Sequence, residues 1–590
     1  MNNQTLKIQE SPCKDLPVLA LMTFVLFAIK AVWAVLISTG PTIVDELLYK
    51  FNASTIFDLQ KYYTAHYPPA YSLVLAPALF FKDWYEAMLV VNAFLSSLVV
   101  PASWFLARSA GIKRPMLAAV LSALLPMHFV FPNILFSENL FVTLFVLAVA
   151  IALRGGKRGY IEALAFGFVL GVAHLTKYLF LPALPLLIAT WLYCRRTSNQ
   201  ENASETSVSL YIPFLLVLLG YGLVVGLWLY YGGSSGFSLS QMFGLGFAKV
   251  FGIGASGIKT KTLNADSFLM WVVAYISYLV LAWLPIWGVI AIWMSQVINK
   301  DWRIQIEPRH QRFLYLVLLL VSCYWLLAVR YSFGCGYNYP VPQRVMGRYV
   351  MQLFPIMLVV GVWIMEIFAE SRAKFHKIKA LVGVAMLIGV AAIAWWILFN
   401  KGIWAFNEWF ANRTPGTVDV VAMASLQVFL LAIAMISLLL AMISFRRNDI
   451  RLLVLPIVTL MLVSMIVAAG RMYVYQDGLH FRELAAAVTS LKQQNETLHI
   501  LYEDNVLNRP FLKERMLFWG VKQNQLSAES VSAKAGINFD SLSSPTLLLT
   551  RMTFDIKPDR EYLVNGKTYY IYRVDGLDPN MLQSFIKDVK

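Results

Sequence analysis

Two acidic sites border strongly apolar segments of this chain. Asp45 and Glu46 follow the first long apolar run, and Glu138 lies in an otherwise apolar stretch. Ionisable residues beside lipid are costly unless water, a partner or a function holds them there. A carboxylate at the first site could take the proton from an acceptor hydroxyl as a general base. The alternative is that both sites are ordinary helix starts, with Ser137 capping a helix that begins at Glu138.

Basic residues stand at two comparable places. Lys177 ends the run His174-Leu175-Thr176-Lys177, and Arg344 and Arg348 precede a later apolar run. A lysine can hold a phosphate, and the planar fork of arginine suits phosphate oxygens. Arg344 and Arg348 would share one face of a helix that begins before them. The alternatives are snorkelling of Lys177 to the interface and interfacial anchoring by the two arginines, with Tyr349 in an aromatic belt.

The composition requires lipid as the main solvent. The chain has 590 residues, of which 59% are hydrophobic and 14% are charged, against about 25% charged in soluble proteins. The apolar runs are long enough for about 13 spanning helices at about 20 residues each. They begin near residues 17, 84, 114, 134, 159, 178, 208, 267, 312, 348, 379, 421 and 452.

The loop charges predict the orientation in the membrane. Alternate loops are rich in lysine and arginine, a bias that marks the cytoplasmic side. The N-terminus is then cytoplasmic and, after an odd number of helices, the C-terminus lies outside. The formal net charge of +16 follows mainly from this bias, with an anionic substrate as the alternative. Nucleic acid is not predicted as a partner, because no basic soluble segment with interleaved aromatic residues occurs.

The chain divides into two predicted domains. Residues 1–475 form a transmembrane domain whose first external loop, 38–83, carries a surface helix at Tyr71–Phe81. Residues 476–590 form a small extracytoplasmic α/β domain. Its predicted elements are a helix at Leu479–Gln493, strands at Thr497–Leu501, Thr546–Thr550, Tyr562–Val564 and Thr568–Arg573, and a helix at Met581–Val589. The last two strands flank Asn565-Gly566, a hairpin signal.

The order and sidedness of these residues indicate a reaction. Two acidic and two or three basic sites fall on the external face, each beside a hydrophobic segment. Sugar transfer from a polyprenyl-phosphate donor requires a carboxylate, a cation for the departing phosphate and access to lipid. A transporter or flippase is the alternative, but it predicts ionisable residues near the bilayer midplane, where only Lys30 lies. An oligosaccharide ligase or polymerase would use similar chemistry.

The chain resembles the GT-C superfamily of membrane glycosyltransferases, in particular protein O-mannosyltransferases and the aminoarabinose transferases that act on lipid A. The similarity covers the whole layout. The matching segments are Asp45-Glu46-x-x-Tyr49, Tyr67-Pro68-Pro69-x-Tyr71, Ser137-Glu138, Leu175-Thr176-Lys177 and Arg348-Tyr349 with Pro355.

The resemblance implies an inverting transferase of a bacterial inner membrane, acting on a glycolipid, polysaccharide or protein. Asp45 would be the base, beside Glu46, and Glu138 the second acidic site. Lys177 and Arg348 would face the donor phosphate. The remaining substrate-binding candidates are Tyr49, His66, Tyr67, Arg344 and Tyr349.

One departure from the pattern leaves the acceptor open. The lipid A enzymes have Glu-Lys before the two prolines, where this chain has His66-Tyr67. The change removes a phosphate-binding lysine and a metal ligand. No second histidine or cysteine stands at ligand spacing, so no metal or other cofactor is predicted.

Overall fold

The computed structural model describes a defined part of the chain. The described residues are 15–36, 44–125, 127–155, 159–201, 211–244, 265–283, 286–287, 290–291, 294, 306–334, 344–370, 386–387, 389–390, 392–394, 404–406, 482, 498–502, 518–519, 526–530, 546–550, 558, 560–564 and 567–573.

The described residues are mainly helical, and their α-helices are numbered in chain order. They are α1 (Asp15–Leu36), α2 (Val44–Phe57), α3 (Pro69–Leu75), α4 (Trp84–Ser97), α5 (Val99–Ser109), α6 (Pro115–Ala123), α7 (Met127–Val130), α8 (Glu138–Arg154), α9 (Tyr160–Thr176), α10 (Ala183–Glu201), α11 (Tyr211–Ser234), α12 (Leu239–Met242), α13 (Ala265–Ala282), α14 (Pro308–Gly334) and α15 (Phe354–Glu370). Short 3₁₀ helices occupy Ala76–Phe80, Phe131–Asn133, Tyr178–Phe180, Gly347–Tyr349 and Met351–Leu353.

The chain forms two compact units. The first takes in Met1–Val35 and Asn52–Gly470, and the second combines Leu36–Phe51 with Arg471–Lys590. All the packing of α3 to α15 described below belongs to the first unit.

Helices long and apolar enough to cross a membrane confirm an integral membrane protein. In the described residues they are Asp15–Leu36, Trp84–Ser109, Tyr211–Ser234 and Pro308–Phe333, and shorter apolar helices include Tyr160–Thr176 and Met351–Ile367. The total of about 13 spans stays a prediction. The spans predicted near residues 421 and 452 lie outside the described residues, as does most of the one near 379.

A proline explains where one of these helices breaks, and a second predicted span ends earlier than its apolar run suggests. Pro101 cannot donate a backbone hydrogen bond to Ser97, and α4 gives way to α5 at Leu98. The predicted span near residue 114 is shorter than expected, since α6 ends at Ala123. The chain then passes through the short helix α7 and through residues 131–137, which are buried and 3₁₀-helical or irregular, to Glu138, where α8 begins.

Small residues let α9 and α11 pack against each other. A Cβ atom at Gly167 would overlap the backbone carbonyl of Val217, and one at Gly220 would overlap the carbonyl of Leu164. Without a hydrophobic force between helices in lipid, such close backbone contact is a main source of association. The glycines therefore fix how far the C-terminal end of α9, which precedes Lys177, lies from its neighbour.

The second unit contains a mixed sheet. Its order is β4 (Leu526–Ser530), β3 (Leu498–Tyr502), β5 (Thr546–Thr550), β7 (Lys567–Arg573), β6 (Arg560–Val564), with parallel pairs at β3 and antiparallel pairs at β7. Val564 pairs with Lys567 across a two-residue connection, which confirms the hairpin at Asn565-Gly566. The helices predicted at Leu479–Gln493 and Met581–Val589 lie outside the described residues except for Arg482.

Candidate active site

The segment before α8 is held by asparagine side chains. The Asn139 amide donates to the carbonyl oxygens of Phe131, Ile134 and Phe136 at 2.9, 3.2 and 3.1 Å. The Asn92 amide donates to the Ile134 carbonyl at 2.9 Å. Buried carbonyl groups need such partners where no helix supplies them. The two asparagines therefore fix the backbone that leads into Glu138.

The hydroxyl of Tyr71 extends this hydrogen-bonded network. It donates to the Asn92 side-chain oxygen at 2.7 Å, and both side chains are fully buried. Tyr71 lies on α3, which belongs to the surface segment predicted at Tyr71–Phe81; the structure confirms helix there as Pro69–Leu75 and Ala76–Phe80. The loop predicted to be external and the segment before Glu138 are thus linked.

Glu138 occupies the first turn of α8, where the helix dipole favours an acid. Ser137 stands at the N-cap but makes no capping hydrogen bond; its hydroxyl donates to Glu138 Oε2 at 3.3 Å instead. Capping by the Ser137 side chain therefore does not account for this pair. Glu138 is 3% exposed, so its charge requires a partner.

That partner is Lys177. Its Nζ lies 2.6 Å from Glu138 Oε1, although 39 residues separate them. The lysine side chain is 16% exposed and its ammonium lies 5.6 Å from the centre of the Phe141 ring. In a short, charge-assisted bond with the acid almost fully buried, the two charges attract each other more strongly than those of a surface ion pair. Snorkelling alone does not explain a lysine held in this way.

The turn after Lys177 is fixed from several sides. Lys177 has extended backbone angles (φ −157°, ψ 120°) and ends α9. The Tyr178 hydroxyl donates to the Ala65 carbonyl at 3.1 Å, and the Tyr324 hydroxyl donates to the Leu179 carbonyl at 3.1 Å. Burial raises the pKa of the Tyr178 phenol above its usual range. It thus stays a neutral donor at any physiological pH.

Arg348 approaches the same place from the other side. It lies in the 3₁₀ helix Gly347–Tyr349, with its Cζ 5.5 Å from the centre of the Phe136 ring and 5.6 Å from that of Tyr349. Tyr349 in turn packs edge-on against Tyr331 at 4.7 Å between ring centres. Because Phe136 is only two residues before Glu138, the structure brings Glu138, Lys177 and Arg348 around one short segment.

Arg344 and Arg348 do not share a helix face, because the helix does not begin early enough to contain them. Arg344 begins a short strand, β1 (Arg344–Met346), whose parallel partner is β2 (Trp404–Phe406), and α15 begins only at Phe354. Pro355 is the second residue of α15, in the first turn, where the backbone N–H that proline lacks has no partner within the helix. The helix therefore starts after both arginines, and only Arg348 is placed by side-chain contacts described here.

His66 and Tyr67 lie in a loop ordered by Asn52. Asn52 accepts from the Thr64 amide at 3.0 Å and donates to the carbonyls of Thr64 and Tyr67 at 3.2 and 3.4 Å. The His66 side chain is exposed and that of Tyr67 is half-buried. Since Tyr178 bonds Ala65, the loop stands beside the turn that carries Lys177.

Asp45, Glu46 and Tyr49 lie in the first two turns of α2 and belong to the second compact unit. Glu46 is fully buried, Tyr49 is 5% exposed and Asp45 is half-buried. The alternative of a solvated helix start does not fit a fully buried Glu46. In the described residues no cluster of three or more His, Cys, Asp or Glu side chains is arranged to hold a metal ion.

The sequence reasoning missed the residues that support the site. They are Asn52, Asn92, Asn139 and Tyr178, while Tyr71 was named only as part of a matching segment, without a role. Asn92 and Asn139 carry a usable signal, because a polar side chain within an apolar membrane segment is costly unless it has a structural or functional partner. Asn52 begins the tripeptide Asn52-Ala53-Ser54, an acceptor pattern for glycosylation, but its side chain is fully buried and hydrogen-bonded.

Sequence comparisons return no relatives, whereas structure comparison does. No family model matches the chain, and no curated protein matches it significantly. The chain is similar to ArnT from Cupriavidus metallidurans bound to undecaprenyl phosphate, with a TM-score of 0.53 and 13% identity over 95% of this chain and 98% of that one. The fold is GT-C.

Two further structures match the chain. ArnT in the apo state gives a TM-score of 0.51 at 14% identity, again over 95% of this chain and 98% of that one. The Archaeoglobus fulgidus oligosaccharyltransferase tethered with an acceptor peptide gives 0.33 at 11% identity, over 65% of this chain and 55% of that one, a value too low to indicate a common fold. The fold shared with ArnT agrees with the resemblance derived from the motif order.

Proposed function

We propose that this protein is an inverting glycosyltransferase that moves a sugar from a polyprenyl-phosphate donor to an extracytoplasmic acceptor. The observation that carries the proposal is the buried ion pair between Glu138 and Lys177 beside Arg348. Within a GT-C fold, this pair provides a fixed cation next to the lipid. The ArnT structure that contains undecaprenyl phosphate supports a donor of this class.

The charges suit a phosphate that becomes more negative during the reaction. Glu138, Lys177 and Arg348 together carry two formal positive charges and one negative. A sugar-linked polyprenyl phosphate is a monoanion, and the polyprenyl phosphate that departs gains a second negative charge. Cations held in place for the leaving group stabilise the transition state more than the ground state, and this lowers the barrier. In this scheme Glu138 positions Lys177, which contacts the phosphate with Arg348.

Asp45 is the proposed base. The acceptor oxygen bonds to the anomeric carbon from the side opposite the phosphate, while the bond from that carbon to the phosphate oxygen breaks. The acceptor proton passes to Asp45, and polyprenyl phosphate leaves. A half-buried carboxylate in the first turn of α2 is chemically suited to this role. Glu46, its neighbour, is fully buried and is the second acid proposed for this turn.

The other candidates are assigned to the substrates. The exposed His66 and the half-buried Tyr67 lie beside the turn of Lys177, where an acceptor can approach, and Tyr349 supports Arg348. Tyr49 and Arg344 complete the proposed set. The acceptor class is a glycolipid, a polysaccharide or a protein. The proposed setting is a bacterial inner membrane with residues 476–590 outside.

The test measures donor binding and turnover separately. The full chain is purified in detergent, and binding of undecaprenyl phosphate is measured directly. Turnover is followed by mass spectrometry with a panel of synthetic undecaprenyl-phosphate sugars and acceptors. Lys177→Gln is expected to weaken undecaprenyl phosphate binding at least about tenfold, since one charge-assisted hydrogen bond is lost. Asp45→Asn is expected to retain binding and lose turnover.

Matched substitutions at exposed positions of the first external loop serve as controls. Lys82→Gln and Asp58→Asn make the same chemical changes where the side chains are exposed, and both variants should behave as the wild type. Wild-type turnover in Asp45→Asn would show that the base is another residue. If labelled donor crosses the vesicle membrane without covalent transfer, the transferase proposal is refuted and the protein is a flippase.

A further inference from the structure

A groove separates α10 from α14 in the first unit, away from the residues of the candidate active site. It has a volume of about 580 Å³ and is lined by the last turns of α10 and the first three turns of α14. Both helices have an end here beside loops rich in lysine and arginine, so the loop charges place the groove in the leaflet predicted to be cytoplasmic.

The groove has the length of one leaflet and a polar end. Its lining on α14 runs from Pro308 to Leu319, which is about 16 Å of helix at 1.5 Å per residue, or about half of a 30 Å hydrocarbon core. Thr197, Gln311 and Arg312 line one end, and apolar side chains such as Leu319 line the other. A phospholipid has the same distribution of polar and apolar groups.

Arg312 is held in position at the polar end. Its Nη1 donates to Thr197 Oγ1 at 2.6 Å and its Nε donates to the Pro308 carbonyl at 3.2 Å. Guanidinium carries five N–H donors, so these bonds orient the group and leave donors for phosphate oxygens. Bidentate contact of this kind favours arginine at phosphate sites.

The surroundings of Arg312 are positively charged. Arg309 and Arg196 are exposed next to the groove, and Arg309 is one helical turn before Arg312. Glu307 is the acid of this stretch, with its carboxylate 3.9 Å from His310. The three arginines and one glutamate leave an excess of two positive charges. Basic pockets between spanning helices on this side of a membrane bind anionic headgroups.

The apolar end opens sideways towards lipid. Tyr193 and Tyr315 line the groove with 57% and 66% of their surface exposed, and Leu319 is 51% exposed. Large apolar side chains exposed on a spanning helix face acyl chains, and tyrosines are typical of headgroup depth. The polar end therefore meets headgroups while the apolar end meets tails.

We propose that this groove binds one anionic phospholipid, with the phosphate on Arg312 and one acyl chain along α14. Such a site is separate from the proposed donor site, whose cations are Lys177 and Arg348. Its occupant comes from the opposite leaflet. Inorganic phosphate would leave the apolar half of the groove unfilled.

Native mass spectrometry of the full chain tests the proposal, with phosphatidylglycerol and phosphatidylcholine added at equal concentration. The wild type is expected to retain one phosphatidylglycerol in preference. Arg312→Gln is expected to lower its retention at least about tenfold. Arg154→Gln is the matched control, because Arg154 pairs with Glu162 at 3.3 Å outside the groove. Ala189→Trp fills the exposed wall on α10 and should displace the lipid without any change of charge.

Several results would overturn the proposal. If the wild type retains the two lipids equally, the groove does not select an anionic headgroup. If the Arg312→Gln and Arg154→Gln variants retain phosphatidylglycerol equally, Arg312 does not bind the phosphate. Displacement of phosphatidylglycerol by inorganic phosphate indicates a phosphate site, and displacement by undecaprenyl phosphate assigns the groove to the donor. If Arg312→Gln fails to give a monodisperse protein, Ala189→Trp decides alone, and wild-type retention in that variant refutes the site.

Discussion

The ion pair of Glu138 and Lys177 makes separate predictions for stability and for binding. The substitutions are Lys177→Met, Glu138→Gln and the two together. At 2.6 Å between Nζ and Oε1, the attraction is about 6 kcal/mol at an effective dielectric constant of about 20. Desolvation of the two charges offsets much of this attraction, so the intact pair contributes little net stability.

Removing only one partner of the ion pair, in contrast, is expected to destabilise the protein. Lys177→Met leaves a carboxylate that is 3% exposed without its cation, and breaking a buried pair in this way costs about 3–5 kcal/mol. The double variant buries no charge, and the side-chain amide introduced by Glu138→Gln would keep an acceptor for the Ser137 hydroxyl. We expect its stability to return to within about 1 kcal/mol of the wild type. The loss from Lys177→Met alone then gives a coupling energy of at least about 2 kcal/mol, and any loss from Glu138→Gln adds to it.

The assay pairs unfolding in detergent micelles with binding of undecaprenyl phosphate. Stability should be lowest in the Lys177→Met variant and recover in the double variant. Affinity for undecaprenyl phosphate should stay low in both, because the cation is absent from each. Lys82→Met, at an exposed lysine, should change neither quantity. Strictly additive losses of stability would refute the buried pair, and wild-type affinity in the double variant would refute the phosphate role of Lys177.

Three further substitutions test the support of the site. Asn139→Ala removes three hydrogen bonds to buried carbonyls and should cost about 2–4 kcal/mol in unfolding experiments, since an orphaned buried polar group costs about 1–3 kcal/mol; an unchanged unfolding midpoint contradicts this role. Tyr71→Phe removes the 2.7 Å bond to Asn92 and should cost about 1 kcal/mol, with a smaller effect on donor affinity than Asn139→Ala. Gly167→Ala forces a methyl group into a backbone carbonyl of α11 and should destabilise the protein by about 1–3 kcal/mol, whereas a methyl group at Gly222 meets no atom within 4 Å. Equal thermal unfolding of the Gly167→Ala and Gly222→Ala variants would show that α9 and α11 are not so closely packed.

Much of the fold is readable from the sequence because the signals are local. Apolar runs of about 20 residues determine spanning helices, and the described helices confirm the membrane class. The strands around Asn565-Gly566 follow from a two-residue turn that matches the twist of a hairpin. The candidate residues Glu138, Lys177 and Arg348 could also be identified from the linear sequence, because an ionisable residue next to an apolar run is unusual.

Helix boundaries were less predictable where side chains of neighbouring helices satisfy the polar groups of buried backbone. The sequence predicts a full span from about residue 114, but α6 ends at Ala123, and between α7 and α8 the buried backbone of residues 131–137 is 3₁₀-helical or irregular. Such backbone is stable at membrane depth only when neighbouring side chains satisfy its polar groups. Asn92 and Asn139 do so, and neither partner is apparent from periodicity.

The amino-acid sequence by itself determined that this chain is an integral membrane protein. It also identified the ionisable residues that border apolar segments. Only the tertiary structure decided how they meet. Lys177 reaches Glu138 across 39 residues, and Arg348 reaches Phe136 from a 3₁₀ turn rather than from a helix face. The physical reason is that the free-energy cost of burying an ionisable side chain depends mainly on that residue and its sequence neighbours. The formation of an ion pair depends instead on how closely helices that are distant in sequence pack. That packing is set here by glycines, broken helices and buried asparagines acting together.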